Sequence, residues 1–236
     1  METFRFKQFS INQDKAAMKI GTDGVLLGAW VNISNNVNSI LDIGTGTGLI
    51  ALQLAQRSDA EAIDAIEIES QAFEQAVENF EQSDWGDRLY CYHSSLEEFA
   101  SEIDDTYDLI VSNPPFYEDD FETENTARNK ARFTSSLSFE SLIKGASKLL
   151  SENGVFAVII PFKEEQNFIV LAHKNNLFLN RVCHVKGTAT SDFKRSLLEF
   201  SFQKKEPIKE ELVIEISRHN YTEAYKNLVN DFYLKM

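Results

Sequence analysis

Two short stretches of this 236-residue chain carry residue types whose spacing could do chemistry. The first is Leu41-Asp42-Ile43-Gly44-Thr45-Gly46-Thr47-Gly48-Leu49. Three glycines at alternate positions let a backbone turn tightly and let a ligand come close. A helix starting behind them would offer unpaired N–H groups. Gly46-x-Gly48-x-x-Ala51 also satisfies a dinucleotide fingerprint, which would seat a pyrophosphate there. Asp42, directly ahead of the glycines, argues for a different ligand, because a carboxylate suits a cation or an amino group better than a pyrophosphate. S-adenosylmethionine carries a sulfonium and an α-ammonium and no phosphate. Farther on, Ala65-Ile66-Glu67-Ile68-Glu69 brings an acid to where it could take both hydroxyls of a ribose. Glu67 and Glu69 alternate onto one face, and Glu67 is favoured.

The second stretch is Asn113-Pro114-Pro115-Phe116. One proline suffices to stop a strand, because it cannot donate to the ladder. Two prolines between an amide and an aromatic ring describe a shaped site. The amino group of a nucleobase is a poor nucleophile, since its lone pair is delocalised into the ring. The Asn113 side-chain oxygen and the Pro114 carbonyl could accept its two hydrogens, localising the lone pair toward an electrophilic methyl group. Phe116 offers a ring on which the base can stack, worth roughly 1–3 kcal/mol. Such a displacement relies on positioning and preorganised dipoles more than on a strong base.

The elements around these stretches alternate. Strands are predicted over residues 39–43, 62–68, 88–93, 107–112, 155–160, 181–186, 196–204 and 212–217. Helices are predicted over 48–56, 71–82, 96–100, 139–150, 164–175 and 223–232, with Gly154 closing the turn before the fifth strand. This alternation implies an α/β fold, a mostly parallel sheet with helices on both faces. Ligands on such sheets bind at the carboxyl ends of the strands, where both stretches fall. Thr22-Asp23-Gly24 reads as an ordinary start to an apolar helix.

Composition fits one domain with a full core: 43% of residues are hydrophobic and 25% charged. No apolar run approaches the roughly 20 residues of a membrane helix, and METFRFKQFS lacks a signal-peptide apolar block. Cys91 and Cys183 match no metal spacing, nor do His93, His173, His184 and His219, so no metal is expected, and buried thiols in a cytoplasmic protein are. The net charge is −14, but residues 59–125 alone hold 21 acids against Arg88. The rest of the chain is net +6, with basic residues gathered over 126–150 and 186–209. An acidic face that keeps the chain dispersed accounts for much of this. The basic stretches, including Arg128, Lys130, Arg132, Lys194 and Arg195, are placed as a polyanion surface would need.

The glycine loop and Asn-Pro-Pro-Phe together resemble the class I, Rossmann-like S-adenosylmethionine-dependent methyltransferases that act on amino groups. The block Phe4-Arg5-Phe6-Lys7-Gln8-Phe9, the run Ala17-Met18-Lys19-Ile20-Gly21-Thr22-Asp23-Gly24 through Trp30, and the ending Tyr221-Thr222…Asp231-Phe232-Tyr233-Leu234-Lys235 resemble the bacterial tRNA1(Val) (adenine-37) N6-methyltransferases. The resemblance implies a seven-stranded sheet, a single domain over 1–236 whose residues 1–36 help form the site, and tRNA as partner. It implies that Lys19, Gly21, Thr22 and Asp23 flank the cofactor, that Asp42, Gly44, Gly46, Gly48 and Glu67 bind it with Asn113 alongside, and that Asn113 to Phe116 hold the adenine. One departure stands out. Methyltransferases of this kind often place an Asp after the third strand for the cofactor adenine, where this chain has His93-Ser94-Ser95-Leu96. Ser95 would accept that bond more weakly, or the Leu96 N–H would serve. The same tetrapeptide also suits guanine N2 of ribosomal RNA or a glutamine amide, and the glycine loop leaves an NAD-linked oxidoreductase as an alternative. The sequence does not fix the oligomeric state; a monomer is marginally favoured.

Overall fold

The computed structural model describes residues 3–16, 18–33, 37–115 and 137–235. A small hairpin comes first, β1 (Thr3–Arg5) and β2 (Ser10–Asn12), then helix α1 (Thr22–Trp30). The alternating part follows: β3 (Ser39–Ile43), α2 (Leu49–Arg57), β4 (Ala62–Glu67), α3 (Ser70–Glu81), β5 (Leu89–His93), α4 (Leu96–Glu102) and β6 (Tyr107–Ser112). Then come α5 (Phe139–Leu149), β7 (Leu150–Pro161), a 3-10 turn (Phe162–Glu164), α6 (Glu165–Lys174), β8 (Phe178–Thr188), β9 (Phe193–Ser201), β10 (Ile208–Ser217), β11 (Asn220–Tyr221) and α7 (Glu223–Val229).

The main sheet has nine strands in the order β11-β10-β8-β9-β7-β6-β3-β4-β5. It is larger than the seven strands expected, and it is mixed: five neighbouring pairs are parallel and three antiparallel. The parallel half, β5 to β7, is covered on both faces, so its central strands are mostly apolar, with Asp42 and Ser112 the buried polar residues near the ends of β3 and β6. Along β3, Ile40 enters the core beneath α1 and α2, whereas Leu41 and Ile43 enter the core beneath α4 and α5. β9 runs against both β7 and β8, because the chain turns back through a short loop instead of crossing over a helix. β10 then adds parallel to β8 and extends the sheet beyond the expected edge.

Two further expectations are corrected. β7 begins at Leu150, so Gly154 lies inside a strand instead of closing a turn. Tyr107 pairs with Leu150 while Leu109 pairs with Val155, and a Cβ on Gly154 would lie 2.8 Å from the Tyr107 carbonyl oxygen; the bulge needs a residue without a side chain. The β1–β2 hairpin is too short to leave a period in the sequence. Its rings pack instead: Phe6 stacks on Phe9 at 4.7 Å and lies 5.8 Å from Tyr233. Phe6 bridges to Tyr233, and the Lys7 N–H donates to the Phe232 carbonyl at 2.8 Å, so the two ends of the chain are tied together. The Asn12 N–H donates to Asn79 Oδ1 at 2.9 Å and fixes the hairpin to α3.

Helices α1 and α2 cross at Gly28, where an added Cβ would lie 2.3 Å from Oε1 and 3.0 Å from Cβ of fully buried Gln53. Alanine improves helix propensity by about 1 kcal/mol, but overfilling a packed contact costs about 1–3 kcal/mol. Gly28→Ala is therefore expected to lower the urea unfolding midpoint despite its better propensity. A raised midpoint would show that the crossing has slack.

Candidate active site

A cavity of about 780 Å³ opens at the carboxyl ends of β3, β4 and β6. Its floor is the loop between β3 and α2. Gly44, Gly46 and Gly48 all have positive φ, at 71°, 59° and 84°. At Gly48 the requirement is double, since a Cβ there would also lie 2.5 Å from the Phe80 ring. The loop is held from β4: the N–H groups of Gly44 and Thr45 both donate to the Ile66 carbonyl, at 2.9 and 3.1 Å. The Gly46 N–H donates to Glu67 Oε2 at 2.9 Å, and Glu67 Oε1 accepts from the Glu69 N–H at 2.9 Å. Glu67 thus holds the glycine loop with one oxygen and its own turn into α3 with the other. Glu69 also lines the cavity but caps α3, accepting from the Ala72 N–H at 2.7 Å.

Asp42 is fully buried beneath the loop and is not part of the cavity wall. Its Oδ2 accepts from Thr45 Oγ1 at 2.6 Å and from the Ala51 N–H at 3.2 Å; its Oδ1 has no partner. Burial, with the Glu67 charge adding to it, pushes the Asp42 carboxyl up to about 7, while the bonds from Thr45 and Ala51 pull the other way.

Of the other residues singled out in the sequence, Lys19, Gly21, Gly44, Gly46, Leu96, Asn113 and Pro114 stand on the wall. The Ser112 hydroxyl donates to the Ile43 carbonyl at 2.9 Å, which ties the β6 turn to the loop strand. Ser95 reaches the cavity too, but its hydroxyl is occupied as the cap of α4, donating to Glu98 Oε2 at 2.8 Å and accepting from the Glu98 N–H at 3.2 Å. Leu96, first residue of that helix, has an N–H with no carbonyl one turn back to receive it. Thr22, Asp23 and Gly48 lie off the wall. Asp23 accepts from Arg195 Nε at 2.8 Å, so these two residues, expected in different roles, form an ion pair. Lys194 is exposed on β9. Phe116, Arg128, Lys130 and Arg132 lie outside the described residues.

Sequence reasoning missed part of the wall. Met18 and Ile20 contribute apolar surface, and Ser138, Ser141 and Lys144 come from the first turns of α5. Lys144 was visible only as one member of a basic stretch; nothing in its spacing pointed to a cavity.

The chain matches the Methyltransferase small domain family over residues 20–177. It is 60% identical to the tRNA1(Val) (adenine(37)-N6)-methyltransferase of Christiangramia forsetii, an alignment that covers all of this chain and 99% of the relative. The chain belongs to this methyltransferase family. The same named enzyme of Bacteroides fragilis is 44% identical, over 99% of this chain and 98% of the relative. A predicted O-methyltransferase from Agrobacterium tumefaciens shares the fold at 18% identity, with a TM-score of 0.69 over 89% of this chain and 96% of that one. Family membership sets aside the NAD-linked alternative and makes S-adenosylmethionine the cofactor. The residues present fit it. Glu67 and Glu69 put carboxylates on the wall, the glycine loop leaves open space above Gly44 and Gly46, and buried Asp42 has an unused oxygen.

Because the folded state keeps Asp42 protonated to about pH 7 while an unfolded Asp ionises near 3.8, stability falls as pH rises between those values. Asp42→Asn keeps an acceptor for Thr45 and Ala51 and removes the titration. Between about pH 5 and 7, the wild-type unfolding free energy is expected to drop by about 2–3 kcal/mol more than that of the variant. Parallel slopes would show that Asp42 is ionised in the fold.

Proposed function

We propose that this chain, acting in the cytoplasm, transfers the methyl group of S-adenosylmethionine to N6 of adenosine 37 in tRNA1(Val). The full-length likeness to enzymes of that name supports the reading. The observation that carries it is the Asn113-Pro114 turn opening into the same cavity as the glycine loop and Glu67. When bound, S-adenosylmethionine supplies a carbon made electrophilic by its positive sulfur. Glu67 takes the ribose hydroxyls and its charge favours a cationic ligand, while the Asp42 carboxyl beneath the loop gives up its proton when one binds. Leu96 offers apolar surface and its N–H to the adenine of the cofactor. Lys19 and Gly21 line the same cavity, which supports a role for residues 1–36 in the site.

At the substrate end, the Asn113 side-chain oxygen and the Pro114 carbonyl accept the two hydrogens of the target amine. Pro114 is buried, and the following Pro115 restricts the backbone torsion that aims its carbonyl. Loss of conjugation into the purine then turns the amine lone pair outward. Phe116 is assigned the stacking face, and Arg128, Lys130, Arg132, Lys194 and Arg195 are assigned to the tRNA backbone. Removing a base from its stack costs a few kcal/mol, least where it is already in a loop, as adenosine 37 is beside the anticodon.

Incubating the enzyme with labelled S-adenosylmethionine and tRNA, then identifying the modified nucleoside by mass spectrometry, tests the reading. N6-methyladenosine at position 37 is the expected product; methyl transfer to another nucleoside would refute it. Asn113→Ala is expected to lower kcat about 10²-fold or more, on the scale of losing one preorganised polar group, with cofactor affinity little changed. Cofactor binding should also release protons. A positive ligand beside Glu67 and Asp42 lowers the raised Asp42 pKa, so affinity should rise as pH increases toward about 7. Calorimetry in buffers of different ionisation enthalpy measures this, and S-adenosylhomocysteine, whose sulfur is neutral, should release less.

A further inference from the structure

The same sheet rim that carries Asn113 and Pro114 also carries a cluster of rings unconnected with the cavity. Phe162, in the 3-10 turn just after β7, is 37% exposed. Its ring lies 5.3 Å from that of Phe193 at the start of β9 and 5.1 Å from His184 on β8; His184 and Phe193 are 5.2 Å apart. The register slips between Val185 and Lys186, which sets Lys186 opposite Phe193 with its Nζ 5.0 Å from the ring centre. Lys163 and Lys194, next in sequence to Phe162 and Phe193, are exposed.

The cluster is held from below. Buried Glu165 accepts from fully buried Ser196 Oγ at 2.6 Å, and the same Oε2 lies 2.8 Å from His184 Nε2. The His184 ring is thus fixed in orientation by a buried carboxylate, and Phe162 and Phe193 pack against it. Their position is also fixed. Ser112 pairs with Val158 on β7, and Pro161 pairs with Arg195 on β9. Phe162 therefore sits one strand, Phe193 two strands and His184 three strands from β6, which leads into the Asn113 turn, about 5 to 15 Å across the rim at the usual strand spacing.

We infer that Phe162, Phe193 and His184, with Lys186 and Lys194 beside them, form a stacking platform for unpaired nucleotides that flank the target adenosine. The inference rests on the tRNA reading above. When one base is drawn into the cavity, its neighbours lose a stacking partner, and aromatic faces flanked by cations replace that partner for any base. Among the nearby acids, Glu165 is spent on Ser196 and His184 and Glu211 lies 3.6 Å from Lys186. Asp192 and Glu164 are chain neighbours of Phe193 and Phe162.

The test uses the full chain and a labelled anticodon stem–loop of tRNA1(Val), with 2-aminopurine replacing a base next to adenosine 37. Phe162→Leu and Phe193→Leu keep apolar bulk and remove the ring. The double variant is expected to bind the stem–loop at least about ten-fold more weakly and to lose the fluorescence quenching of stacked 2-aminopurine, with unchanged S-adenosylmethionine affinity. Phe193→Trp should retain the quenching. Lys194→Ala should reduce the salt slope of RNA binding by about one. Undiminished RNA affinity and quenching in the double variant would overturn the platform, as would failure of the wild type to bind the stem–loop. A wild type that binds and quenches yet leaves adenosine 37 unmethylated would keep the platform and overturn the proposed reaction.

Discussion

One buried carboxyl organises the catalytic end of this molecule. Asp42 sits at the last turn of the central strand and bonds to both the loop hydroxyl of Thr45 and the α2 backbone at Ala51. Those bonds hold the loop in the left-handed conformations that its glycines permit, and they do so from within the core, where a carboxylate is costly. The cost appears as the raised pKa of Asp42 and as its unpaired Oδ1. Glu67 completes the arrangement from the neighbouring strand by holding Gly46. Two acids therefore shape one loop. The loop arrives preformed, with one carboxylate at its face and a second acid beneath it that ionises when a cationic cofactor binds.

The parallel sheet places the other half of the chemistry. β6 pairs with β3 in register, so Ser112 lies beside Ile43 and the Asn113 turn starts level with the glycine loop. No flexible segment intervenes between the group that holds the cofactor and the turn assigned to the substrate amine. Geometry of this kind is what a displacement governed by positioning requires.

Much of this was legible in the sequence because it is local. The β6 strand at Tyr107–Ser112, the glycine loop, the acid at the end of β4 and the diproline turn each announce themselves within a few residues. What escaped depends on partners distant along the chain. The Asp23–Arg195 pair joins residues 172 positions apart. The nine-stranded mixed sheet arises because β10 adds beyond β8, a pairing that no periodicity encodes. The bulge that draws Gly154 into β7 depends on the Tyr107 carbonyl across the strand. Ser95 and Glu69 fell between two roles, since a capping residue and a ligand-binding residue share the same chemistry.

The tie between the two ends of the chain bears on how the protein is made. Met18, Lys19 and Ile20 belong to the cavity wall, and the hairpin before them is locked by Phe232 and Tyr233. That brace forms only after residues far along the chain have been made. Loss of Phe232 and Tyr233 would remove it and leave the Asn12 bond to α3 to hold the hairpin.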